Sequence, residues 1–233
     1  MIVSHRHNFI FIKTKKTAGT SLEIGLSKFC GEKDIITGLP QKDEIIRKDF
    51  GGRAPQNLDI PWRKYTFQEL SKYVRKGRRA ICKNHFRARR IRRLVGRKIW
   101  KDYYKFCFER NPWDKAVSLY YWRTRDMKVQ PSFSEFLHSS RAHKLSNYKL
   151  YSIWGRIAVD KIYKFETLTD ALKDISSRLD LPGELELPRT KSIHRKDKTH
   201  YSKIISAEDR EYIAKKCYRE IKYLSYNYED RID

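Results

Sequence analysis

The clearest hydrophobic signal lies near the start of the chain, where residues 9–12 read Phe-Ile-Phe-Ile. A short apolar run without alternation is typical of a strand that is buried on both faces of a parallel sheet. Thr20 to Phe29 follows, with apolar residues at broadly helical spacing. The pattern therefore predicts a strand, a loop and a helix in that order.

Strands and helices are predicted in alternation along the rest of the chain. Apolar runs predict further strands at 79–82, 103–108 and 161–165. Capping signals, including a Ser or Thr followed three residues later by Glu and a Pro in a first helical turn, predict the helix starts. The helices are expected from Thr66, over 87–93, from Pro112 to about Arg123, from Ser132, from Thr167 or Thr169 to Leu179, and from Ser206 through Ile221.

This alternation predicts a three-layer α/β fold around a central, mainly parallel sheet. The segment from Gly31 to Pro61 is rich in Gly and Pro and is expected to be a long irregular excursion over the surface. The chain has 233 residues, 39% of them hydrophobic and 13% aromatic, which is enough for one core of ordinary size. A single domain over 1–233 is expected.

The charge balance indicates anionic partners. Lys and Arg number 52 against 28 Asp and Glu, for a formal charge of +24. A positive surface attracts nucleic acid, acidic polysaccharide, phosphorylated nucleotides or anionic membrane, and charge alone does not choose among them.

The four cysteines, at 30, 82, 107 and 217, form no CxxC pair, so we expect buried free thiols and no bound metal. No apolar run approaches the length of a membrane span, and the sequence before Phe9 lacks a signal-peptide pattern. We expect a soluble, cytoplasmic protein.

The loop between the first predicted strand and its helix has the composition of an anion cradle. Backbone N–H groups at the helix start and the helix dipole attract one anion. Lys16 adds a mobile cation, Gly19 permits close approach of the backbone, and hydroxyls at Thr17, Thr20 and Ser21 can donate to phosphate or sulfate oxygens. It is not a Walker A loop, because the Lys precedes the Gly.

A second candidate anchor follows the strand predicted at 103–108. Arg110 stands at the strand end, and Ser118 lies eight positions on in the predicted helix. An Arg fork with a hydroxyl suits a phosphate monoester, and charge-assisted hydrogen bonds contribute about 1.5–3 kcal/mol each.

These two segments resemble those of the carbohydrate sulfotransferase superfamily. Lys16-Thr-Ala-Gly-Thr-Ser-Leu22 looks like its 5′-phosphosulfate loop, and Arg110 with Ser118 is similar to its 3′-phosphate motif. The resemblance implies a P-loop-kinase-like fold and 3′-phosphoadenosine 5′-phosphosulfate (PAPS) as sulfuryl donor. It assigns Lys16, Thr17, Ala18, Gly19, Thr20 and Ser21 to the 5′ end of the donor. The loop looks like that of the Golgi-type branch of this superfamily, which reads Lys-Thr-Ala-Gly-Thr-Ser. Lys15 departs from this branch, which commonly has Pro at that position.

The transfer reaction also needs a base for the acceptor proton. His85 follows the strand predicted at 79–82, at the edge of a parallel sheet where ligands bind, and its placement resembles that of the base in branch members. A carboxylate within 43–49 (Asp43, Glu44 or Asp49) is the alternative. Lys16 is expected to stabilise charge on the departing phosphate oxygen.

The C-terminal third carries weaker similarities to the same family. Lys164-Phe-Glu-Thr-Leu168 resembles a family signature at a strand end, and 187–201 resembles the segment that closes over the nucleotide. Lys191 and Ser192 are assigned to that closure. The resemblance extends from Phe9 to about Tyr228.

The acceptor is expected to be an acidic or neutral saccharide, and the oligomeric state is open. Two other functions compete with sulfuryl transfer. A non-enzymatic nucleic-acid binder is favoured by charge and by the arginines at 87, 89, 90, 92 and 93. A nucleotide or small-molecule kinase of related fold predicts Mg²⁺ dependence and ATP turnover.

Overall fold

The computed structural model describes residues 1–142, 145–188 and 199–229. The strands in these ranges are β1 (Ile2–Ser4), β2 (Phe9–Ile12), β3 (Ile35–Ile36), β4 (Tyr104–Glu109), β5 (Ser152–Ile153), β6 (Arg156–Ile157) and β7 (Lys161–Lys164). The helices are α1 (Gly19–Ser27), α2 (Gln41–Asp49), α3 (Phe67–Lys76), α4 (Ala88–Val95), α5 (Arg97–Asp102), α6 (Pro112–Thr124), α7 (Phe133–His138), α8 (Tyr148–Tyr151), α9 (Leu168–Arg178), α10 (Ala207–Lys216) and α11 (Tyr218–Leu224).

The central sheet is mostly parallel, as the sequence predicts. Among the described residues its strand order is β3-β1-β2-β4-β7. The strand β4 runs parallel to β2 on one side, with Phe11 opposite Phe106, and parallel to β7 on the other, with Phe108 opposite Tyr163. The strand β1 is antiparallel to β2 and β3. The carboxyl ends of β2, β4 and β7 therefore meet at one edge.

Helices cover both faces of this sheet. Phe9 and Phe11 point into a core shared with α1 and α9, whereas Ile10 and Ile12 point into a core shared with α4 and α5. Since side chains alternate along a strand, the uninterrupted apolar run of β2 supplies both cores. Phe106 packs against the rings of Phe9 and Phe11, and each such aromatic pair contributes about 0.5–1.5 kcal/mol beyond burial. The layer order is helix, sheet, helix.

A third apolar cluster lies among α6, α7 and α10, where Trp113, Phe136 and Ile213 are buried together. It fixes α6, which leaves the end of β4. Asn111 caps α6 by accepting from the backbone N–H of Trp113 and Asp114, and Pro112 occupies the first turn. This helix start confirms the prediction at Pro112.

Both predicted capping boxes are present. The side chains of Thr66 and Ser132 accept from the backbone N–H three residues on, and Glu69 and Glu135 reach back to the capping residue. The four cysteines are free and buried, as expected. Across the described ranges, no helix has both the length and the apolar character needed to cross a membrane.

The strand predicted at 79–82 is wrong. In the described structure this segment makes an isolated bridge between Ile81 and Asp59 and lies outside the central sheet. The strand β1, which pairs with β2, was not predicted, because Ile2–Ser4 is only three residues long.

Two other expectations need correction. The segment from Gly31 to Pro61 is not irregular throughout, since it contains β3 and α2. The final helix is interrupted at Cys217, where the backbone leaves helical geometry between α10 and α11.

Candidate functional site

The loop between β2 and α1 contains two residues in an unusual backbone conformation. Lys16 and Ala18 have φ angles of 61° and 56°, in the left-handed region that residues other than Gly rarely adopt. Such conformations cost about 1–3 kcal/mol each and concentrate at ligand sites. Left-handed residues within a loop turn neighbouring N–H groups toward one point, and here that point adjoins the start of α1. The first turn of α1 carries no acidic side chain.

Gly19 is required by the close packing of this loop. A Cβ at Gly19 would lie 2.9 Å from Cγ of Lys13 and 3.2 Å from the carbonyl oxygen of Thr14. The backbone contact leaves little room for relaxation. Helix α1 therefore begins directly against the end of β2.

Thr14 joins the loop to the neighbouring strand. Its hydroxyl donates to the carbonyl oxygen of Phe108 at 2.5 Å and lies 2.8 Å from the Thr17 hydroxyl. Because the Thr14 proton is directed at Phe108, the Thr17 hydroxyl donates to Thr14. Thr17 is buried. Its side chain thus supports the loop from within, and its backbone N–H is the group that remains suited to an anion.

Asn147 holds the same loop from the opposite side. Its Oδ1 accepts from the N–H of Lys15 at 3.1 Å, and its Nδ2 donates to the carbonyl oxygen of Lys15 at 3.0 Å. The same Nδ2 lies 3.2 Å from Oε1 of Glu109. Asn147 is buried and was not identified from the sequence. It connects the loop after β2 to the last residue of β4.

Glu109 forms a buried ion pair at that strand end. Its Oε1 lies 2.7 Å from Nζ of Lys115, and both side chains are almost fully excluded from solvent. The hydroxyl of Tyr151 and the N–H of Arg110 also donate to this carboxylate. Burial is the largest single effect on Lys115 and opposes its charge, but Glu109, with smaller contributions from Cys217 and Glu220, outweighs burial and raises the pKa of Lys115. The pair fixes the turn from which Arg110 projects.

Arg110 is held in place before any ligand arrives. Its Nε and Nη2 both lie 2.6 Å from Oδ2 of Asp114, and its guanidinium lies 4.6 Å from the centre of the Phe165 ring. Ser118 is half-buried on α6, one turn beyond Asp114. Residues four apart share a helix face, so Ser118 follows Asp114 on the side of α6 to which Arg110 is paired.

Lys16 reaches this same face of α6. Its Nζ lies 5.5 Å from the centre of the ring of Trp122, four residues beyond Ser118. Trp122 was not identified from the sequence. It brings the side chain of the first predicted anchor to the helix that carries the second.

Thr20 and Ser21 lie in the first turn of α1 and are half-buried. The structure therefore gathers Lys16, Thr17, Ala18, Gly19, Thr20 and Ser21 around one helix start. Lys191 and Ser192 lie outside the described residues. Within the described ranges, no cluster of His, Cys, Asp or Glu is arranged to hold a metal ion.

His85 reaches the loop although the strand predicted before it is absent. Its Nδ1 lies 2.9 Å from the carbonyl oxygen of Lys13, which can only accept a hydrogen bond. Nδ1 therefore carries the proton, and Nε2 keeps the lone pair that a base needs. Partial burial of the ring, followed by the charges of Lys13 and Lys15, lowers the pKa of His85 to about 4. The imidazole is neutral at pH 7.

The alternative carboxylates lie on α2. Glu44 accepts from Arg47 at 3.1 Å and from the N–H of Leu39 at 2.6 Å. Asp43 is buried and Asp49 is exposed. Glu23, on α1, forms a buried ion pair with Lys13 at 2.7 Å, directly beneath the loop. Lys13, which also bonds to His85 through its carbonyl, is anchored at both its backbone and its side chain.

Glu166, in the Lys164–Leu168 segment, forms hydrogen bonds at the same edge of the sheet. It accepts from the N–H of Asn111 at 2.6 Å and from the hydroxyl of Tyr226 at 3.1 Å. The end of β7 is thereby joined to the start of α6.

The fold defines an α/β protein with a mostly parallel sheet, and the loop after β2 and the turn after β4 lie side by side at one edge of that sheet. The particular family follows from comparison with known proteins. A model described as the sulfotransferase family matches residues 1–230, and the chain belongs to that family. Membership of this family supports sulfuryl transfer as the general activity of the chain.

The chain is also similar to an archaeal protein over part of its length. The chain is 37% identical over 101 residues to an uncharacterized protein of Archaeoglobus fulgidus, a match that covers 42% of this chain and 84% of that protein. No solved structure gives a significant match.

Proposed function

We propose that this protein transfers a sulfuryl group from PAPS to a hydroxyl of a saccharide acceptor. The observation that carries the proposal is the hydrogen bond that connects the two candidate anion-binding segments. The loop after β2 and the turn after β4 are neighbours in the sheet, and the hydroxyl of Thr14 bonds to the carbonyl of Phe108 at 2.5 Å. Two anchors of fixed spacing suit a nucleotide that carries phosphate at two positions.

The residues present fit such a donor. The backbone N–H groups of 16–21, with the hydroxyls of Thr20 and Ser21, would hold the 5′-phosphosulfate. Arg110 and Ser118 would hold the 3′-phosphate. The pairing of Arg110 with Asp114 leaves other N–H groups of the guanidinium available, because the fork has five. Lys191 and Ser192 are proposed to close over the nucleotide.

When bound, PAPS supplies a sulfuryl group that is already activated by its bond to phosphate. His85 accepts the acceptor's hydroxyl proton at Nε2 as the new oxygen–sulfur bond forms. Lys16 stabilises the negative charge that develops on the phosphate oxygen as the old sulfur–oxygen bond breaks. The residues named here balance the reaction without a metal ion.

An exposed aromatic–cation pair, formed by Trp154 and by Arg89 four residues after His85 in the sequence, favours an acidic saccharide. Trp154 is 80% exposed at the tip of the β5–β6 hairpin, where it and Gly155 adopt the left-handed turn that joins such strands. The guanidinium of Arg89, in the first turn of α4, lies 4.3 Å from the centre of the Trp154 ring. An aromatic face beside a cation offers a stacking surface for a sugar ring and a partner for a carboxylate or sulfate group.

Calorimetric titration with 3′-phosphoadenosine 5′-phosphate (PAP) tests the donor site. Wild type should bind PAP more tightly than adenosine 5′-monophosphate, which lacks the 3′-phosphate. Arg110→Ala should remove most of that difference, and Lys16→Ala should weaken binding of both nucleotides. Failure of the wild type to bind PAP would overturn the proposal.

The acceptor is tested separately by transfer of ³⁵S from labelled PAPS to a uronate-bearing glycan and to its carboxyl-reduced form. Trp154→Ala and Arg89→Ala should raise KM for the uronate-bearing glycan and leave PAP binding unchanged. Equal transfer to the reduced form would show that the acceptor need not be acidic.

A further inference from the structure

Helix α3 presents an apolar stripe to solvent. Phe67, Leu70 and Val74 are 87%, 45% and 76% exposed, and their spacing places them on one side of the helix. Trp62, in the short 3₁₀ turn just before α3, is also exposed. Every residue of this helix is described, and none of them is buried. Contiguous exposed apolar residues mark interaction surfaces more often than isolated ones do.

Specific contacts beneath α3 hold this stripe outward. The carboxylate of Glu69 accepts from Nη2 of Arg90, at 2.7 Å, and completes the capping box with Thr66. The ring of Tyr73 lies edge-on to that of Tyr65, which is buried in the core. Because α3 is tied down along the side that faces α4, the side with Phe67 and Val74 stays toward solvent.

The same segment is strongly cationic. Residues 62–79 contain seven Lys and Arg and a single carboxylate, Glu69, which is already paired with Arg90. The exposed cations of this segment are Arg63, Lys72, Arg75, Lys76, Arg78 and Arg79. At about 100° per residue, Arg75 lies beside the stripe, whereas Lys72 and Lys76 lie on the other side of α3. Long basic side chains around a band of Trp, Phe, Leu and Val are typical of a helix that lies in the interface of an anionic membrane.

We propose that the face formed by Trp62, Phe67, Leu70 and Val74, which we call the α3 face, docks peripherally on an anionic lipid surface. A soluble polyanion would neutralise the cations but would leave Phe67 and Val74 in water. An anionic bilayer surface satisfies both groups, since the stripe enters the acyl boundary while the cations meet the headgroups. The stripe runs along the side of α3, which has ten residues and is about 15 Å long. The helix axis would therefore lie parallel to the membrane surface.

This docking would place the catalytic domain at a membrane independently of the sulfuryl-transfer reaction. Arg90 and Arg93, on α4, hold α3 and the residues before it through Glu69 and the carbonyl of Tyr65. The helix that carries Arg89 is therefore fastened to the α3 face. Acceptors attached to lipid would be presented close to α4.

Sedimentation of the full chain with vesicles tests the proposal without any use of enzyme activity. Wild type should bind vesicles of equal parts phosphatidylcholine and phosphatidylglycerol, and should bind phosphatidylcholine vesicles far more weakly. Phe67→Ser with Val74→Ser keeps every charge and should reduce binding about tenfold or more, because it removes the inserting groups. Arg63→Glu with Arg75→Glu should reduce it by a similar factor, because these cations adjoin Trp62 and Val74.

Matched controls on the opposite end of the chain separate this face from general charge. Tyr218→Ser removes an exposed aromatic of α11, and Lys215→Glu with Lys222→Glu reverses two charges on α10 and α11; both should bind like wild type. The proposal is overturned if wild type does not bind anionic vesicles, if Phe67→Ser with Val74→Ser binds undiminished, or if the α10 and α11 charge reversals act as strongly as those at Arg63 and Arg75. Retention on an acidic protein with no vesicle binding would indicate a protein partner and would also overturn it.

Discussion

Asn147 bonds with both atoms of its amide to the backbone of Lys15, at 3.1 Å and 3.0 Å. Lys15 precedes the two left-handed residues of the anion cradle, so this pairing fixes the turn that leads into them. Two neutral hydrogen bonds contribute about 0.5–1.5 kcal/mol each. We expect Asn147→Ala to weaken PAP binding about tenfold. Unchanged PAP affinity in a folded Asn147→Ala variant would contradict this role.

Lys15→Pro provides a rescue test of the same relationship. Proline fixes φ near −65°, and Lys15 does not have a positive φ. If Asn147 acts by restraining the turn, Lys15→Pro added to Asn147→Ala should recover part of the lost PAP affinity. Calorimetry of both variants decides the question, because a simple packing defect at Asn147 would not be repaired at Lys15.

Lys16→Ala is expected to lower kcat for sulfuryl transfer by about 10²–10³, the size found when one preorganised charge-stabilising donor is removed. Its effect on PAP affinity should be smaller, since the backbone N–H groups of the cradle remain. Single-turnover kinetics with labelled PAPS separates the two. Lys33→Ala, a surface cation outside the site, is the matched control. Equal kcat in both variants would exclude Lys16 from the chemical step.

His85 predicts a specific pH dependence of stability. Its pKa is lowered to about 4 in the folded chain, from an ordinary value of 6.5. Between these values the unfolded chain binds more protons, so the contribution of His85 to stability is present above pH 6.5 and is lost as the pH falls toward 4. Urea unfolding of wild type and His85→Gln across this window should show the steeper loss in wild type. Parallel curves would refute the lowered pKa.

The same group has a consequence for activity. His85 is already neutral at pH 7, so protonation of the base should not limit transfer until the pH approaches the His85 pKa. His85→Gln should keep PAP affinity while transfer is abolished. Turnover at the wild-type rate would exclude His85 as the base and favour a carboxylate within 43–49.

The buried pair of Glu109 and Lys115 should be sensitive to removal of one partner. Lys115→Met leaves the Glu109 carboxylate buried without a counter-charge and is expected to destabilise the fold by about 3–5 kcal/mol. Glu109→Gln combined with Lys115→Met removes both charges and should lie closer to wild type. Denaturant unfolding of the two variants measures the difference, and equal losses would argue against an ionised pair.

Features determined by neighbouring residues were predicted well from the sequence. The capping boxes at Thr66 and Ser132 satisfy backbone groups three residues away. The apolar run of β2 is buried at all four of its positions, as its composition alone indicates. Features determined by distant residues were not. Asn147 acts on Lys15, 132 residues earlier, and no local pattern marks it.

The prediction for His85 shows the same division. The strand expected before it is absent from the central sheet, and Ile81 makes only an isolated bridge with Asp59. The histidine nonetheless reaches the loop through the carbonyl of Lys13, a contact that depends on the path of the chain between β3 and α4. The residue types in the cradle could be read from the sequence, whereas the strain at Lys16 and Ala18 required coordinates.

The hydroxyl of Thr14, which donates to the carbonyl of Phe108, sets a spacing as well as a contact. Because it joins the ends of two adjacent strands, the segments proposed to hold the 5′ and 3′ ends of the donor cannot move apart independently, and the edge of the sheet would set the distance between the two bound phosphate groups. A ligand that carries only one of the two phosphates would contact only one of the two segments. Discrimination between donors would then come from the stiffness of β2 and β4 as much as from the charges placed at their ends.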